Sequence, residues 1–173
     1  RRHGLTGYRA RGARGARCRS AGEAVGSGRR ASTRTDEPTS VTPILEYGTQ
    51  EQKSTWLPDL VAGRTLAGFG LTEPGACSDA SATKTKAVLD GDEWVVNGSK
   101  QFITNSGSDI TSLVTVTART GTRDNGSPEI SAIILPSGTP GFVAGPPYDK
   151  LGWHISDTHP LSFTDVRLPA DHL

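Results

Sequence analysis

The sequence predicts a mainly β protein, an antiparallel β-barrel or sandwich that follows a short helical lead-in and a disordered basic head. Turn-forming pairs such as Asp-Gly and Asn-Gly recur at a spacing of roughly eight to twelve residues, which is typical of antiparallel sheets. The apolar segments between the turns are short, and one of them alternates apolar residues with threonine at a period of two. The pattern lacks the long crossover helices that a parallel α/β fold needs.

The first forty residues differ in composition from the rest of the chain. Residues 1–40 hold ten arginines and three acidic residues, a net charge of +7, whereas residues 41–173 hold nine basic and fifteen acidic residues, a net charge of −6. Glycine, arginine, alanine and serine dominate this head. It therefore cannot bury enough apolar surface to offset the entropy of ordering it, and we expect it to be disordered.

Three interpretations of the head stay open. An arginine-rich, acid-poor N-terminus resembles an organelle transit peptide, but its seven glycines oppose the amphipathic helix that such peptides need. Its guanidinium groups could hold nucleic-acid phosphates, although Tyr8 alone offers a ring for base stacking. A solvated tail without a binding role is the favoured interpretation, so we expect no nucleic-acid partner.

Residues 41–64 form the predicted helical lead-in. Thr49 and Gln52 fit a capping box, in which the threonine accepts from the third helical amide and the glutamine reaches back. The pattern predicts one helix, a second short helix that begins at Pro58, and Gly63 as a left-handed C-cap. Two helices are too few for a bundle, so we expect them to pack on the β-domain.

Residues 65–173 form the predicted β-domain. We expect a hairpin at residues 90–92, which read Asp-Gly-Asp, and a second turn at Asn97-Gly98. The apolar segments that predict strands are residues 66–71, 85–89, 94–97, 100–104, 113–118, 130–135 and 161–166.

Several kinds of catalytic site are excluded by motif. The chain has no G-x-S-x-G nucleophile elbow and no G-x-x-x-x-G-K-[ST] phosphate loop. The Gly-Phe-Gly at residues 68–70 begins like a dinucleotide fingerprint, but Glu73 stands at the third glycine position. His154 and His159 have no partner pair of histidines or cysteines nearby, so we expect no metal site.

The sequence also indicates where the protein works. No run of about eighteen apolar residues exists, so we expect no membrane-spanning helix. The two cysteines, Cys18 and Cys77, make no disulfide framework, which suits a reducing compartment. We therefore expect a cytoplasmic protein, or one of the mitochondrial matrix if the organism is eukaryotic.

Two segments are candidates for ligand binding. Residues 66–79 read as a strand that ends at Thr72 and opens into a loop, exposing amides and small hydroxyls at a strand end. Further along, Phe102 and Thr104 lie at i and i+2, on the same face of a strand. An aromatic ring beside a hydroxyl donor can pack on a planar ring system and bond its edge. From these residues alone, an ordinary strand and turn is the favoured interpretation.

Taken together, three motifs resemble the middle domain of the flavin-dependent acyl-CoA dehydrogenases. They are L-T-E-P-G-A-C-S-D at residues 71–79, N-G-S-K-Q-F-I-T-N at residues 97–105, and K-L-G-W-H-I-S-D-T, followed by L-S-F-T-D-V-R-L-P, within residues 150–169. The resemblance covers residues 41–173. It implies a middle β-domain with its preceding helices, without most of the N-terminal and all of the C-terminal helical domain of the family.

The resemblance implies a FAD site. Thr72 would lie near the pyrimidine edge of the flavin, and Ser78 would serve both the flavin diphosphate and the acyl-CoA substrate. Phe102 would pack on the flavin face opposite the substrate, and Thr104 would hydrogen-bond N5, which receives the substrate's β-hydride. The full set of implied cofactor-binding residues is Phe69, Leu71, Thr72, Ser78, Phe102, Ile103 and Thr104.

Two positions depart from the family pattern. The family usually has arginine two residues after the conserved glycine, and here His154 follows Gly152 at that distance. Cys77 stands where family members usually have glycine. If that position needs a positive φ or a close approach of the ligand, the side chain costs on the order of 1 kcal/mol. We interpret Cys77 as a small packed thiol rather than a redox centre.

The resemblance also implies an activity and partners. The activity is α,β-dehydrogenation of an acyl-CoA thioester, with electrons passed to an electron-transfer flavoprotein, in a homo-oligomer that is a dimer or tetramer. The family's catalytic base is a glutamate of the C-terminal domain, so we expect the base to lie outside this chain and the chain alone to be inactive. The alternative is a non-catalytic fragment or degenerate homologue that acts only as a structural or interaction module.

Overall fold

A computed structural model describes the backbone of residues 33–173 and the side chains from residue 39 onward. Most of the predicted disordered head therefore lies outside the described residues. The first helix, α1, spans Thr33–Tyr47, so it begins before the predicted boundary at residue 40. The sequence pattern misses this start because α1 packs through few apolar residues. Its contacts with the β-domain include buried Ile44 and the Ser40 hydroxyl, which donates to the Ala67 carbonyl at 3.0 Å.

The second helix, α2, spans Gln50–Val61 and has the predicted ends. The Gln52 amide donates to Thr49 Oγ1 at 3.1 Å, and the Thr49 amide donates to Gln52 Oε1 at 2.8 Å, which confirms the capping box. At the other end Gly63 has φ +67°, and its amide donates to the Leu60 carbonyl while the Arg64 amide donates to the Asp59 carbonyl, a Schellman motif.

The predicted break at Pro58 is wrong, because α2 continues through this residue. Pro58 has no N–H, so the carbonyl one turn earlier loses its usual donor. The Pro58 carbonyl still accepts from the Ala62 amide at 3.1 Å, and Leu60 is buried against the sheet. Packing of the last turn therefore keeps proline inside one helix.

Seven strands follow the helices and form one sheet that curls into a half-barrel, so the predicted mainly β fold is confirmed. The strands are β1 (Leu66–Gly70), β2 (Lys86–Asp90), β3 (Glu93–Thr104), β4 (Thr111–Thr122), β5 (Pro128–Pro136), β6 (Phe142–Ala144) and β7 (Thr158–Pro169). Two 3₁₀ turns, Ala80–Ala82 and Ala170–His172, complete the elements of residues 33–173. No helix among the described residues is long and apolar enough to cross a membrane.

Two strands, β1 and β2, pair with the same edge of β4, and the gap between them positions the candidate site. Strand β5 pairs along one edge of β4, while β1 and β2 both pair in parallel with its other edge, β2 only through Lys86 and Arg119. The remaining pairs, β2–β3, β3–β7, β4–β5 and β6–β7, are antiparallel as expected. Because β1 and β2 share the space between β4 and β3, the chain between them, residues 71–85, forms a loop there.

The predicted turn at Asn97-Gly98 is wrong, because β3 runs through both residues as one long strand. The register with β7 shifts between Val96 and Gly98, and Gly98 has φ +149°. The Asn97 side chain donates to Asp165 Oδ1 at 3.0 Å and accepts from the Asp165 amide at 2.9 Å. An Asn-Gly pair thus serves as a bulge in a paired strand, where glycine allows the unusual backbone.

Two apolar clusters lie on opposite faces of the sheet. The larger cluster fills the inner face of the curl and includes Val96, Val116, Ile133, Leu161 and Val166. The smaller cluster lies on the outer face between the helices and the sheet and contains Ile44, Leu60, Ala67, Leu113 and Ile134. The outer face at β1 is therefore partly covered by helix and partly open.

Replacing Gly98 with alanine should lower the free energy of unfolding by about 1–3 kcal/mol, as overpacking does in rigid surroundings. An added Cβ would lie 2.7 Å from the Thr85 Cα and 2.6 Å from its Oγ1, and backbone atoms cannot move aside cheaply. The measurement is urea unfolding followed by tryptophan fluorescence. Gly152→Ala is the matched control, since its Cβ would meet nothing within 4 Å. Equal stabilities for the two variants would contradict the assignment of a bulge.

Candidate functional site

Strand β1 presents two predicted site residues on the outer face. An added Cβ at Gly68 would meet Val114, and one at Gly70 would meet Val116, so both glycines face the inner core. Because side chains alternate along a strand, Phe69 lies on the outer face. Leu71 lies just past the end of the strand and continues the alternation, so it lies on the same face. Both residues are half-buried. We call this open, partly apolar surface of Phe69 and Leu71 beside the helices the outer site.

The loop that leaves β1 carries the next predicted residue, Thr72. Its carbonyl accepts from the Gln101 amide at 2.9 Å, which ties the loop to β3. Directly after it, Glu73 and Ala76 exchange backbone hydrogen bonds of 2.7 and 3.2 Å around a tight turn. Thr72 is thus held between a strand and a closed turn, with its side chain half-buried.

A buried ion pair fills the space between the end of β1 and the start of β2. Lys100 Nζ lies 2.8 Å from Glu73 Oε1, and the two side chains are 0% and 3% exposed. The ammonium also donates to the Leu71 carbonyl at 3.1 Å and to Thr117 Oγ1 at 3.0 Å. All three donors of the lysine are therefore used. Buried charges are tolerated when they are paired and hydrogen-bonded in this way.

The Glu73 carboxylate is satisfied on both oxygens. The Lys84 amide donates to Oε2 at 2.7 Å, and the Thr85 amide donates to Oε1 at 3.0 Å. Burial raises the pKa of this carboxyl, but the hydrogen bonds from Lys100, Thr85 and Lys84 outweigh burial and lower the pKa below its ordinary value. Burial lowers the pKa of the Lys100 ammonium, and this effect exceeds the opposing attraction of Glu73.

The lowered pKa of Glu73 predicts acid sensitivity of the fold. A carboxyl whose pKa is lower in the folded state stabilises the protein above its ordinary pKa of about 4.3, and this stabilisation is lost as the pH falls through the folded-state value. The test therefore compares the parent at acid pH with a variant that lacks this carboxyl.

We expect the free energy of unfolding to fall more steeply below about pH 4.3 in the parent than in Glu73→Gln, which has no carboxyl to protonate. Urea midpoints between about pH 6 and pH 3 give both slopes. Asp59→Asn is the control, because the Asp59 side chain is exposed. If the free energy of unfolding fell equally steeply with decreasing pH in the parent and in Glu73→Gln, this role of Glu73 would be contradicted.

Phe102 departs from the regular strand geometry that the sequence predicts. The register between β3 and β7 shifts between Lys100 and Ile103, and Phe102 has φ +60°, a left-handed backbone that aromatic residues seldom adopt. Its ring is 55% exposed and contacts the Tyr148 ring at a centroid distance of 4.9 Å. The simple i, i+2 relation to Thr104 therefore does not hold, and the bulge sets the direction of the ring.

The two residues after Phe102 lie on opposite faces of the sheet. The Ile103 side chain is buried in the inner cluster. It therefore cannot contact a ligand at the outer site, where only its backbone is available. By alternation, Thr104 lies on the outer face with Phe69. The Thr104 carbonyl would be 3.1 Å from a Cβ added to Gly68, so the end of β3 runs directly beside β1.

The far end of the loop is more exposed. Ser78 is exposed, and Asp79 N-caps a 3₁₀ turn by accepting from the Ser81 amide at 3.1 Å. Cys77 is also exposed, its Sγ lies 3.8 Å from Thr72 Oγ1, and its φ is not positive. A side chain at this position therefore meets no left-handed strain, and the expectation of a packed thiol is wrong because Cys77 faces solvent.

Within the described residues, the hydroxyls of Ser78 and Thr104 make no hydrogen bond, so both are available to a ligand. A flavin would find two kinds of partner at the outer site: the half-buried apolar surface of Phe69 and Leu71, and hydroxyl donors at the edges. The Phe102 ring, redirected by the bulge, lies against Tyr148. The residues present fit such a group. No cluster of His, Cys, Asp or Glu side chains within the described part of the chain could hold a metal ion.

Sequence reasoning missed two residues of this region, Lys100 and Tyr148. Lys100 is a charged residue within a predicted strand that continues into Phe102 and Ile103, and a charge in such a strand needs a partner if it is buried. Tyr148 gave no such signal, because it follows two prolines in a segment without regular structure. Its contact with Phe102 arises from the tertiary fold.

Comparison with known proteins agrees with the fold and the motifs. The family described as acyl-CoA dehydrogenase, middle domain, matches residues 68–166. A probable acyl-CoA dehydrogenase of Bacillus subtilis is 49% identical over 131 residues, which is 76% of this chain and 34% of the relative. The chain thus spans about a third of the length of the curated relatives that it matches.

Two solved structures superpose on the same region. Butyryl-CoA dehydrogenase from Megasphaera elsdenii matches with a TM-score of 0.70 and 45% identity, over 76% of this chain and 34% of that chain. Glutaryl-CoA dehydrogenase from Mycobacterium smegmatis, solved in complex with FADH2, matches with a TM-score of 0.69 and 39% identity, over 76% of this chain and 32% of that chain. The chain therefore belongs to the acyl-CoA dehydrogenase family, and residues 68–166 match the middle domain of that family.

Proposed function

We propose that this chain supplies the flavin- and thioester-binding wall of an FAD-dependent acyl-CoA dehydrogenase. The observation that carries the proposal is the meeting of two motifs at the outer site. The Thr72 carbonyl accepts from the Gln101 amide, and Gly68 lies beside Thr104. Strand β1 with its loop and the end of β3, about thirty residues apart in sequence, therefore flank one surface where the unpaired Thr104 hydroxyl lies next to apolar residues. When bound, FAD supplies the acceptor for the two electrons removed from the substrate.

Different residues of the chain would contact different parts of the flavin. Phe69 and Leu71 offer apolar surface that excludes water from one side of the ring system. Thr72 would donate to the pyrimidine edge and Thr104 to the N5 edge, where a fixed donor stabilises negative charge in the transition state. Ser78, at the open end of the loop, would bond the flavin diphosphate and the acyl-CoA.

We propose that the catalytic base is not one of the carboxylates of this loop. The Glu73 carboxylate already accepts hydrogen bonds from Lys100, Lys84 and Thr85, so both of its oxygens are committed to the fold. Asp79 is engaged in capping the 3₁₀ turn. We therefore expect the 173-residue chain by itself to show no turnover of acyl-CoA.

The proposal includes the partners that the family resemblance implies. They are an acyl-CoA as substrate, an electron-transfer flavoprotein as electron acceptor, and further copies of the same subunit in a dimer or tetramer. The cytoplasm, or the mitochondrial matrix in a eukaryote, is the proposed compartment.

A chimera tests the proposal. Residues 41–173 would replace the matching segment of butyryl-CoA dehydrogenase from Megasphaera elsdenii, which is 45% identical. We expect the purified chimera to carry a flavin absorption spectrum and to lose that colour on addition of butyryl-CoA without an electron acceptor. A folded chimera that is colourless, or whose flavin is not reduced, would overturn the proposal and favour the structural-module alternative.

A further inference from the structure

Three cations lie near one another where β2 begins. Lys86, the first residue of β2, is the register partner of Arg119 on β4. Ala87 and Ala118, which follow and precede them in sequence, belong to the inner apolar cluster. By alternation, Lys86 and Arg119 therefore lie on the outer face. Lys84 is exposed and lies two residues before Lys86, and we call Lys84, Lys86 and Arg119 the basic cluster.

The side chain of Lys84 reaches the loop that carries the predicted site residues. A Cβ added to Gly75 would lie 3.4 Å from Lys84 Nζ, so the ammonium lies against the tight turn that directly follows Thr72. The backbone of Lys84 is fixed at the same place, because its amide donates to Glu73 Oε2 at 2.7 Å. The basic cluster therefore begins at the loop on which Thr72 and Ser78 lie.

No carboxylate of the described residues forms an ion pair with the basic cluster. Of the nine basic residues in positions 41–173, those that pair with the side chain of an aspartate or glutamate are Arg64, Lys100 and Arg167. The Asp79 carboxylate, on the same loop as Lys84, accepts instead from the Ser81 amide at 3.1 Å. The cluster therefore leaves positive charge on the outer face that no ion pair within residues 39–173 neutralises.

Repulsion between Lys86 and Arg119 makes this arrangement unfavourable without an anion, since like charges on directly opposed residues destabilise a sheet. Among the described residues, the Arg119 guanidinium donates only to neutral oxygens, the Gly121 carbonyl at 3.2 Å and Thr122 Oγ1 at 2.7 Å. An anion that contacts both cations would replace the repulsion by attraction. Phosphate suits such a site, because its several oxygens accept charge-assisted hydrogen bonds from lysine and arginine.

We propose that Lys84, Lys86 and Arg119 bind a phosphate group of a nucleotide ligand. The identity of that ligand rests on the proposed function, whereas the anion site itself does not. FAD and acyl-CoA both carry phosphates. In FAD the ribityl chain separates them from the flavin ring, and in acyl-CoA the pantetheine arm separates them from the thioester. Either ligand could therefore place its reactive end at the outer site and a phosphate at the basic cluster.

Nuclear magnetic resonance of the full chain with inorganic pyrophosphate tests the anion site without flavin. We expect saturable shifts of the Lys84, Lys86 and Arg119 amides, and weaker binding as sodium chloride is added, because salt screens exposed charges. The double variant Lys84→Gln with Lys86→Gln should bind pyrophosphate about tenfold more weakly. Lys53→Gln makes the same chemical change on α2 and is the matched control. No saturable shift at these amides, or equal affinities of the parent and the double variant, would overturn the proposal.

Urea unfolding separates a binding role from a structural one. Without pyrophosphate, Lys86→Gln should be at least as stable as the parent, because the substitution removes one of two repelling charges. Added pyrophosphate should stabilise the parent more than Lys86→Gln, since a ligand stabilises the state that binds it. If Lys86→Gln were less stable than the parent and gained as much from pyrophosphate, Lys86 would be a structural residue and the proposal would fail.

Phosphate-free analogues identify the ligand in the chimera. If the flavin nucleotide supplies the phosphate, the double variant should bind FAD about tenfold more weakly and riboflavin as before. If acyl-CoA supplies it, the double variant should bind butyryl-CoA more weakly and butyryl-pantetheine as before. Unchanged affinities for both FAD and butyryl-CoA, or equal weakening of the phosphate-free analogues, would overturn the assignment. A colourless chimera would refute the proposed function and leave the pyrophosphate titration of the full chain interpretable.

Discussion

Replacing Lys100 with methionine should lower the free energy of unfolding by about 3–5 kcal/mol, the usual effect of removing one partner of a buried ion pair. Methionine fills most of the same volume but leaves the Glu73 carboxylate buried and without its cation. The Leu71 carbonyl and Thr117 Oγ1 lose a donor at the same time. The loss should therefore exceed that of any single surface substitution.

Urea unfolding of three variants measures this effect. Arg64→Met is the matched control, because the Arg64–Asp59 pair is 64% and 56% exposed and such pairs contribute about 0–1 kcal/mol. The double variant Lys100→Met with Glu73→Gln should be more stable than Lys100→Met alone, since it no longer buries an unpaired charge. A Lys100→Met variant as stable as Arg64→Met would show that the pair is not what holds the loop to the sheet.

In the chimera, Thr104→Ala should slow flavin reduction by up to about a hundredfold while changing substrate affinity little. A fixed donor at the N5 edge matters most in the transition state, and removing one preorganised donor at comparable sites costs about 10²–10³ in rate. Stopped-flow measurement of the loss of flavin absorbance at several substrate concentrations separates the rate from the affinity.

Thr164→Ala is the matched control for Thr104→Ala. It makes the same chemical change on an exposed position of β7, away from the outer site. The rate of flavin reduction in this control should equal that of the unmodified chimera. If Thr104→Ala reduced the flavin as fast as Thr164→Ala, Thr104 would not be the N5 donor.

The sequence correctly predicted those features that depend only on residues close together in the chain. The capping box of Thr49 and Gln52 and the left-handed Gly63 are confirmed because each depends on residues within a few positions of one another. The Pro58 break and the Asn97-Gly98 turn are wrong for the opposite reason. Their local preference is real, but burial of Leu60 and the pairing of β3 with β7 outweigh it.

The sequence predicted which residues belong to the candidate site, but not the direction in which each side chain points. The sequence named Phe102, Ile103 and Thr104 together, yet Ile103 faces the inner core and a bulge redirects Phe102. Alternation along a strand can be counted from the sequence only while the strand is regular. A single residue with a left-handed backbone changes which of the following side chains face each side of the sheet. Neither the composition nor the periodicity of the sequence indicates such a residue.

By itself, the sequence determined the mainly β fold class, the helical lead-in and the motifs that identify the family, because these depend on residue types at fixed short spacings. Only the tertiary structure decided that Lys100 pairs with Glu73, 27 residues away, and that the Phe102 ring packs on Tyr148. The Lys100–Glu73 contact exists because β1 and β2 share one edge of β4 and leave a space that a side chain must fill. Its strength comes from burial, which removes competing water and which no local pattern encodes.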